Sequence, residues 1–268
     1  MSTVGFVVHA GRPAAVEAAD ELRAALTAEG VKAVDVDEVA ADVDLVVAVG
    51  GDGTFLRAAY VASRVGSPVL GVKVGRLGFL TEVEPPSAVA LVLEALHGRA
   101  SVEERLAVVA EAADGTSFPP QWAMNEIMVE KRARHRLIRL KVAVDGEYVT
   151  TFSADGVIVA TPTGSTAYSF SARGPIVSPD VACLVVTPIA AYLSAIRSVV
   201  VSPRQVVSCR VVDAHEALVS VDGREDLPIA VGDVVEIHAL ERPIRLIEPK
   251  GAQPFWDLLR HKVELLPS

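Results

Sequence analysis

The chain has 268 residues, 51% of them apolar and 22% charged, with 25 Lys and Arg against 34 Asp and Glu for a formal charge of -9. That composition excludes disorder, collagen and coiled coil, and at roughly 100–200 residues per domain the length admits one large domain or two moderate ones. The acidic balance also speaks against nonspecific nucleic-acid binding, which needs a basic face.

A strand pattern begins at once with Val4-Gly5-Phe6-Val7-Val8, with no export signal before it. Ala14 to Glu29 follows as an amphipathic helix, apolar at Val16, Ala19, Leu22 and Leu26, with Pro13 suited to its first turn and Gly30 to its stop. Val31-Val36 and Leu45-Val49 read as strands, Phe55-Arg64 as a helix, Val69-Val74 as a strand and Ser87-His97 as a helix closed by Gly98. This alternation predicts a doubly wound parallel α/β domain over residues 1–100.

Beyond residue 100 the apolar period shortens to that of strands. Arg105-Glu111, Trp122-Glu130, Leu137-Val144, Tyr148-Ser153, Val157-Ala160, Cys183-Thr187, Val199-Val201, Gln205-Val212, Ala217-Val221 and Val234-Ala239 all fit, with turn signals at Asp145-Gly146, Asp155-Gly156 and Asp222-Gly223. Residues 101–250 are therefore expected to form a β-rich domain, a β-sandwich. Residues 251–268 carry a terminal helix, Phe255 to Leu266, apolar at Trp256, Leu258, Leu259, Val263 and Leu266, expected to return to the N-terminal domain.

The longest low-charge stretch, Val181 to Ile196, falls short of the roughly 20 residues a bilayer needs and contains Pro188, so a buried strand is expected and no membrane association. The cysteines, Cys183 and Cys209, have no C-x-x-C partner and read as reduced core thiols, which points to the cytoplasm. One basic run, Lys131-Arg132-Ala133-Arg134-His135-Arg136, reads as a solvated hairpin tip, with a phosphate or subunit contact as the alternative.

Chemistry concentrates in a few places. Gly50-Gly51-Asp52-Gly53-Thr54 stands between a buried strand and a helix, where a glycine-rich turn lets backbone N–H groups approach phosphate. It lacks the Lys-Ser/Thr of a Walker A loop, and Leu56 stands where G-x-G-x-x-G needs glycine. An Asp beside phosphates would repel them unless it holds Mg²⁺ or accepts a proton; otherwise Asp-Gly only shapes a turn. Thr161-Pro162-Thr163-Gly164-Ser165-Thr166-Ala167-Tyr168-Ser169 is rich in hydroxyls suited to a base edge or ribose, or alternatively to capping a short helix. Asn125-Glu126 interrupts an apolar strand and needs polar partners.

In this order, Gly50–Thr54, Asn125-Glu126 and Asp155-Gly156 with Thr161–Tyr168 resemble the signatures of the NAD kinase family, and the resemblance extends through Gly75-Arg76-Leu77-Gly78-Phe79-Leu80 and Asp222-Gly223-Arg224. The G-G-D-G element is shared with diacylglycerol and sphingosine kinases; T-P-T-G-S-T-A-Y discriminates. The resemblance implies an active site between the two domains, with Asp52 as base toward the adenosine-ribose 2′-hydroxyl of NAD. It implies donor phosphates at Gly50, Gly51, Thr54 and Asp222, with Gly53 close by, and adenosine and ribose at Asn125 and Glu126. Thr163, Thr166, Ala167, Tyr168 and Ser171 would line the adenine and neighbouring ribose, Asp155 would bind the nicotinamide end, and Leu56 and Phe79 would form apolar walls.

The activity implied is transfer from ATP or polyphosphate to NAD, with Mg²⁺ or another divalent cation carried on the substrate phosphates and no protein metal cage. A lipid or sphingosine-type kinase and a non-catalytic NAD(P) sensor are the alternatives. Strand edges such as Val199-Val201 and Val206-Val207, together with the resemblance, lead us to expect a homodimer or homotetramer, unless those edges close within one chain. Lys73 and Ala190-Ala191-Tyr192 depart from the family's usual Asn and Pro-His.

Overall fold

In this computed structural model, the described residues are 1–36, 42–75, 78–81, 83–114, 118–133, 136–213 and 216–264. Arg76, Leu77, Arg134, His135 and Leu266 therefore lie outside the described residues. The chain divides into two units, Met1–Glu104 with Ile244–Ser268, and Arg105–Pro243.

The first unit runs β1 (Thr3–Val8), α1 (Pro13–Ala28), β2 (Lys32–Asp35), β3 (Leu45–Gly50), α2 (Asp52–Val65), β4 (Val69–Lys73), α3 (Pro85–Leu96) and β5 (Ser101–Arg105). Its sheet has the order β2-β1-β3-β4, followed by a late strand and then β5, and β1 pairs parallel to both β2 and β3, as β3 does to β4. The central strand β3 is buried throughout, because helices cover both faces of such a sheet. One face packs α1 and α3 through Ala15, Ala19, Leu22, Leu26, Ala88 and Val92. Ala19, Leu22 and Leu26 of the expected stripe on α1 are buried, but its first position is taken by Ala15, whereas Val16 is exposed. α2 starts earlier than its apolar pattern suggests, in the glycine loop itself, and stops at Gly66 with φ 72°.

The second unit runs β6 (Val108–Ala112), β7 (Gln121–Ala123), β8 (Glu126–Lys131), β9 (Ile138–Val144), β10 (Glu147–Ala154), β11 (Gly156–Ala160), a 3-10 turn (Thr163–Thr166), α4 (Tyr168–Ser171), β12 (Leu184–Ile189), β13 (Val199–Val201), β14 (Val207–Asp213), β15 (Ala217–Val221), β16 (Glu225–Ile229) and β17 (Val234–Ala239). Its two sheets have the orders β10-β9-β14-β17-β6-β7 and β13-β12-β11-β8-β15-β16. Alternate residues of both meet in one core, among them Leu140, Phe152, Cys209 and Ile237 from the first and Ile127, Val159, Leu184 and Val219 from the second. Asp145-Gly146 and Asp222-Gly223 make hairpin turns, with positive φ at all four residues (50° and 80°, 47° and 64°).

Three sequence expectations are corrected here. Arg105-Glu111 is not one strand: β5 ends at Arg105 and β6 starts at Val108, in different sheets. Trp122-Glu130 is not one strand: β7 and β8 lie in different sheets, and Met124-Asn125 is the break between them. Val206-Val207 is not an edge, because β14 lies between β9 and β17. β13 does stand at an edge, with Val200 59% exposed.

The chain then re-enters the first unit through β18 (Ile244–Glu248), parallel to β4, and α5 (Phe255–Glu264). The first unit thus resumes at Ile244, ahead of residue 251, because β18 completes its sheet. Among the described residues no helix is long and apolar enough to cross a membrane, and the Val181–Ile196 stretch contains the buried strand β12. Cys183 and Cys209 are buried free thiols, and burial pushes Cys209 up to about 12.

Candidate active site

The strand order of the first unit reverses direction between β1 and β3: the chain first steps from β1 outward to β2, then returns to the other side of β1. Ligands bind open α/β sheets outside the carboxyl ends of the strands at such a point. Here that position is occupied by the Gly50-Gly51 turn and by the loop after β1, whose His9 N–H donates to Val49 O at 3.1 Å. A Cβ at Gly51 or Gly53 would meet nothing within 4 Å, so the backbone is open to an incoming phosphate. Thr54 is buried, its N–H donating to Gly51 O at 2.9 Å, and Leu56 is half-buried on α2.

Asp52 is the first residue of α2, and its side chain folds back onto the turn after β4. Oδ2 accepts the Phe79 N–H at 2.9 Å and Oδ1 the Leu80 N–H at 3.0 Å. Gly78 is glycine because any Cβ there would stand 2.0 Å from Asp52 Oδ1. The Lys262 ammonium of α5 lies 3.7 Å from Asp52 Oδ2 and 4.1 Å from the centroid of the Phe79 ring. Phe255 anchors α5 on the same ring, at 6.2 Å between centroids. Sequence reasoning noticed only the apolar face of this helix; nothing in its pattern marks Lys262.

In the second unit the break at Met124-Asn125 gathers a separate group of polar residues. Asp222, at the β15–β16 turn, accepts the N–H groups of Met124 (2.8 Å), Asn125 (2.9 Å) and Glu126 (3.0 Å). Its carboxylate thus has a structural task, and three N–H donors leave it ill suited to the phosphate role that the family resemblance implied. Burial, and then the Asp222 charge, push Glu126 up to about 8. Burial raises Asp222 as well, against the pull of its three N–H bonds and Arg224. Of the pair, Glu126 is pushed further toward its neutral form: Asp222 has its three N–H donors, while the buried Glu126 Oε2 has no hydrogen-bond partner.

The hydroxyl-rich segment divides by task. Thr161 Oγ1 donates to Met124 O at 2.6 Å and accepts the Gly164 N–H at 3.1 Å, and Ser165 bonds Pro162 O (2.6 Å) and the Val177 N–H (3.0 Å). Both are fully buried and structural. Thr163 accepts from Arg105 at 3.3 Å, Thr166 donates to Thr163 O at 3.2 Å, Ala167 is half-buried, and Tyr168 and Ser171 are exposed. A cavity of about 530 Å³ opens beside α4, lined by Tyr168, Ser171, Arg173, Ile189, Ala191 and Arg197 among others. Ala190, which lines it, and Leu193, three residues on, hold φ of 48° and 49°, an uncommon conformation for non-glycine residues. Asp155, at the corner between β10 and β11, pairs with Lys131, which accounts for the first residue of the basic run.

Residues 32–100 match the ATP-NAD kinase N-terminal domain and residues 124–249 the ATP-NAD kinase C-terminal domain. An NAD kinase of Heliobacterium modesticaldum is 38% identical over 98% of this chain and 99% of its own length. The chain belongs to the NAD kinase family. A second relative, the NAD kinase of Symbiobacterium thermophilum, is 41% identical over 83% of this chain and 79% of its own. Among solved structures, yeast NADH kinase complexed with NADH superposes with a TM-score of 0.84 at 27% identity, covering 99% of this chain and 87% of that one. An Archaeoglobus fulgidus NAD kinase in complex with ATP gives 0.79 at 27% identity, covering 99% of each chain. Of the departures from the usual family pattern, Lys73 pairs with Glu84 at 3.2 Å, and Ala190-Ala191 borders the cavity, with Tyr192 66% exposed beside it.

Proposed function

We propose that the enzyme transfers the terminal phosphoryl group of ATP, or of inorganic polyphosphate, to the 2′-hydroxyl of the adenosine ribose of NAD, giving NADP. The observation that carries this reading is the Gly50–Thr54 loop at the sheet's switch point, open at Gly51 and Gly53 and carrying one oriented carboxylate. Asp52 accepts the proton from the attacking hydroxyl as the bond from oxygen to phosphorus forms and the bond to the leaving phosphate breaks. Gly50, Gly51, Gly53 and Thr54 form the donor-phosphate loop, with the glycine turn and the start of α2 turned to the phosphates and Thr54, its N–H spent on Gly51 O, bracing the turn.

The orphaned Glu126 Oε2 favours a ligand hydroxyl, as a ribose supplies, with Asn125 beside it. Thr163, Thr166, Ala167, Tyr168 and Ser171 receive the adenine and neighbouring ribose, Asp155 the nicotinamide end, and Leu56 and Phe79 act as apolar walls. Among the described residues no three His, Cys, Asp or Glu side chains assemble a metal cage. A lone Asp52 beside phosphates fits Mg²⁺ held mainly by the donor and water. When bound, that ion neutralises charge on the transferring phosphoryl group.

Purified protein with ATP, Mg²⁺ and NAD should yield NADP, read out by an NADP-specific dehydrogenase. No product with ATP or polyphosphate, or preference for diacylglycerol or sphingosine as acceptor, overturns the reading; tight NADP binding without turnover would make the protein a sensor. The exposed edge strand β13 supports a homodimer or homotetramer, which light scattering checks against the single-chain mass. The buried free thiols support a cytoplasmic site of action.

A further inference from the structure

A phosphate loop without a lysine, in a chain of net charge -9, must find positive charge elsewhere. The Asp52 carboxylate makes the need sharper, because it adds a fixed negative charge where a polyanion is to bind. The structure brings one ammonium to that carboxylate, from the far end of the chain: Lys262, 3.7 Å from Asp52 Oδ2. At that length it is an ion pair without a close hydrogen bond, and the ammonium rests on the Phe79 ring face, 4.1 Å from its centroid. Among the described residues Asp52 is its only carboxylate partner, so N–H donors of the ammonium remain unspent. Its stem is largely covered, with 28% of the side chain exposed, and Phe255 against Phe79 fixes the helix that carries it.

We propose that Lys262 is the cation of the donor subsite: it offsets the Asp52 charge in the free enzyme and donates to the phosphates of ATP or polyphosphate when they enter beside Gly51 and Gly53. The inference rests on the reading of Gly50–Thr54 as the donor-phosphate loop. It assigns the terminal helix a task in substrate binding as well as in packing, and gives the loop the lysine its own sequence lacks. The Phe79 ring serves as the rest on which the ammonium waits, close to the carboxylate yet not locked to it.

The test compares K262M, which keeps an unbranched stem for packing on Phe79, with K262R, which keeps the charge. Losing one charge-assisted contact to phosphate should raise the KM for ATP about tenfold in K262M. The KM for NAD should stay within about twofold and the melting temperature close to the parent's. K262R should recover most of the ATP affinity. The rise of the ATP KM with ionic strength should be shallower in K262M than in the parent.

An unchanged ATP KM in K262M overturns the proposal. A parallel rise of both KM values with a lowered melting temperature also overturns it, since that is the signature of a helix that only packs. The functional reading fails differently, by a parent enzyme that makes no NADP from any donor.

Discussion

In the Gly50–Thr54 loop the backbone is left open and the side chain is tied down: Gly51 and Gly53 face free space, while both Asp52 oxygens accept N–H groups of the Phe79-Leu80 turn. In the Thr161–Ser169 segment the backbone is closed in. Thr161 N–H donates to Asn125 O at 2.8 Å, and a Cβ at Gly164 would stand 2.1 Å from that same carbonyl. The first is a place for a ligand that touches main chain, as phosphate does at a helix start. The second is a scaffold whose buried hydroxyls hold its shape and leave Tyr168 exposed. Residue type alone does not distinguish a hydroxyl that reads a substrate from one that closes a turn; burial and partners do.

The comparison breaks first at Asp52. Substituting Asp52→Asn keeps side-chain size and one of the two acceptors for the turn, so the fold and NAD affinity should persist. The rate should fall about 10²–10⁴-fold, the usual contribution of a general base. Stopped-assay NADP formation beside calorimetric NAD binding separates the two, and near-full turnover would make Asp52 purely a brace for the turn.

Glycine substitutions sharpen the contrast between open and closed backbone. Gly164→Ala drives a methyl into the Asn125 carbonyl and should cost about 3 kcal/mol or more in urea unfolding. Gly53→Ala sits in helical backbone with open space around it and should leave stability within about 1 kcal/mol, while raising the KM for the phosphoryl donor. Equal damage from both would mean that the two segments are built alike.

Asp222→Ala removes the acceptor of the Met124, Asn125 and Glu126 N–H groups at the break between β7 and β8. Stranded N–H donors cost about 1–3 kcal/mol each, partly recovered as water enters, so a loss of about 2–4 kcal/mol is expected by denaturant titration. A drop in donor affinity with unchanged stability would instead restore Asp222 to the phosphate site.

How much of this was legible follows from whether a residue's task is local. The Gly50–Thr54 loop is a strand, a turn and a helix start within one short segment, so period and glycine placement expose it. β18 was missed because Ile244–Glu248 gains its meaning from Val69, a partner far away in sequence. β16 was missed because Pro228 argues against a strand; an edge position, as this one is in its sheet, tolerates it. The break at Met124-Asn125 reads from sequence only as a polar pair inside one strand, because no Gly or Pro marks a turn there and its holders, Asp222 and Thr161, lie far away in the chain. Lys262 had no signal at all, being one cation on the polar side of a helix whose target lies at the other end of the chain.

The smallest expected effect belongs to the proton on Glu126. Its ordinary value is 4.5, and burial with the Asp222 charge raises it to about 8 in the folded protein. Between those values the folded state binds a proton that the unfolded state has released, so this carboxyl makes stability fall as pH rises from about 4.5 through 8. Below the window both states are protonated and the stabilisation relative to the charged form is complete; above it that stabilisation is gone. Glu126→Gln imitates the neutral carboxyl and cannot titrate. The variant should therefore match the parent near pH 5 and exceed it by about 1–2 kcal/mol near pH 7, a fraction of the full linkage because Asp222 shares the site. Urea midpoints measured at each pH check this. Parallel stability profiles for variant and parent would mean that Glu126 is charged in the fold, and that its unpartnered oxygen is a carboxylate waiting for a donor rather than half of a neutral acid.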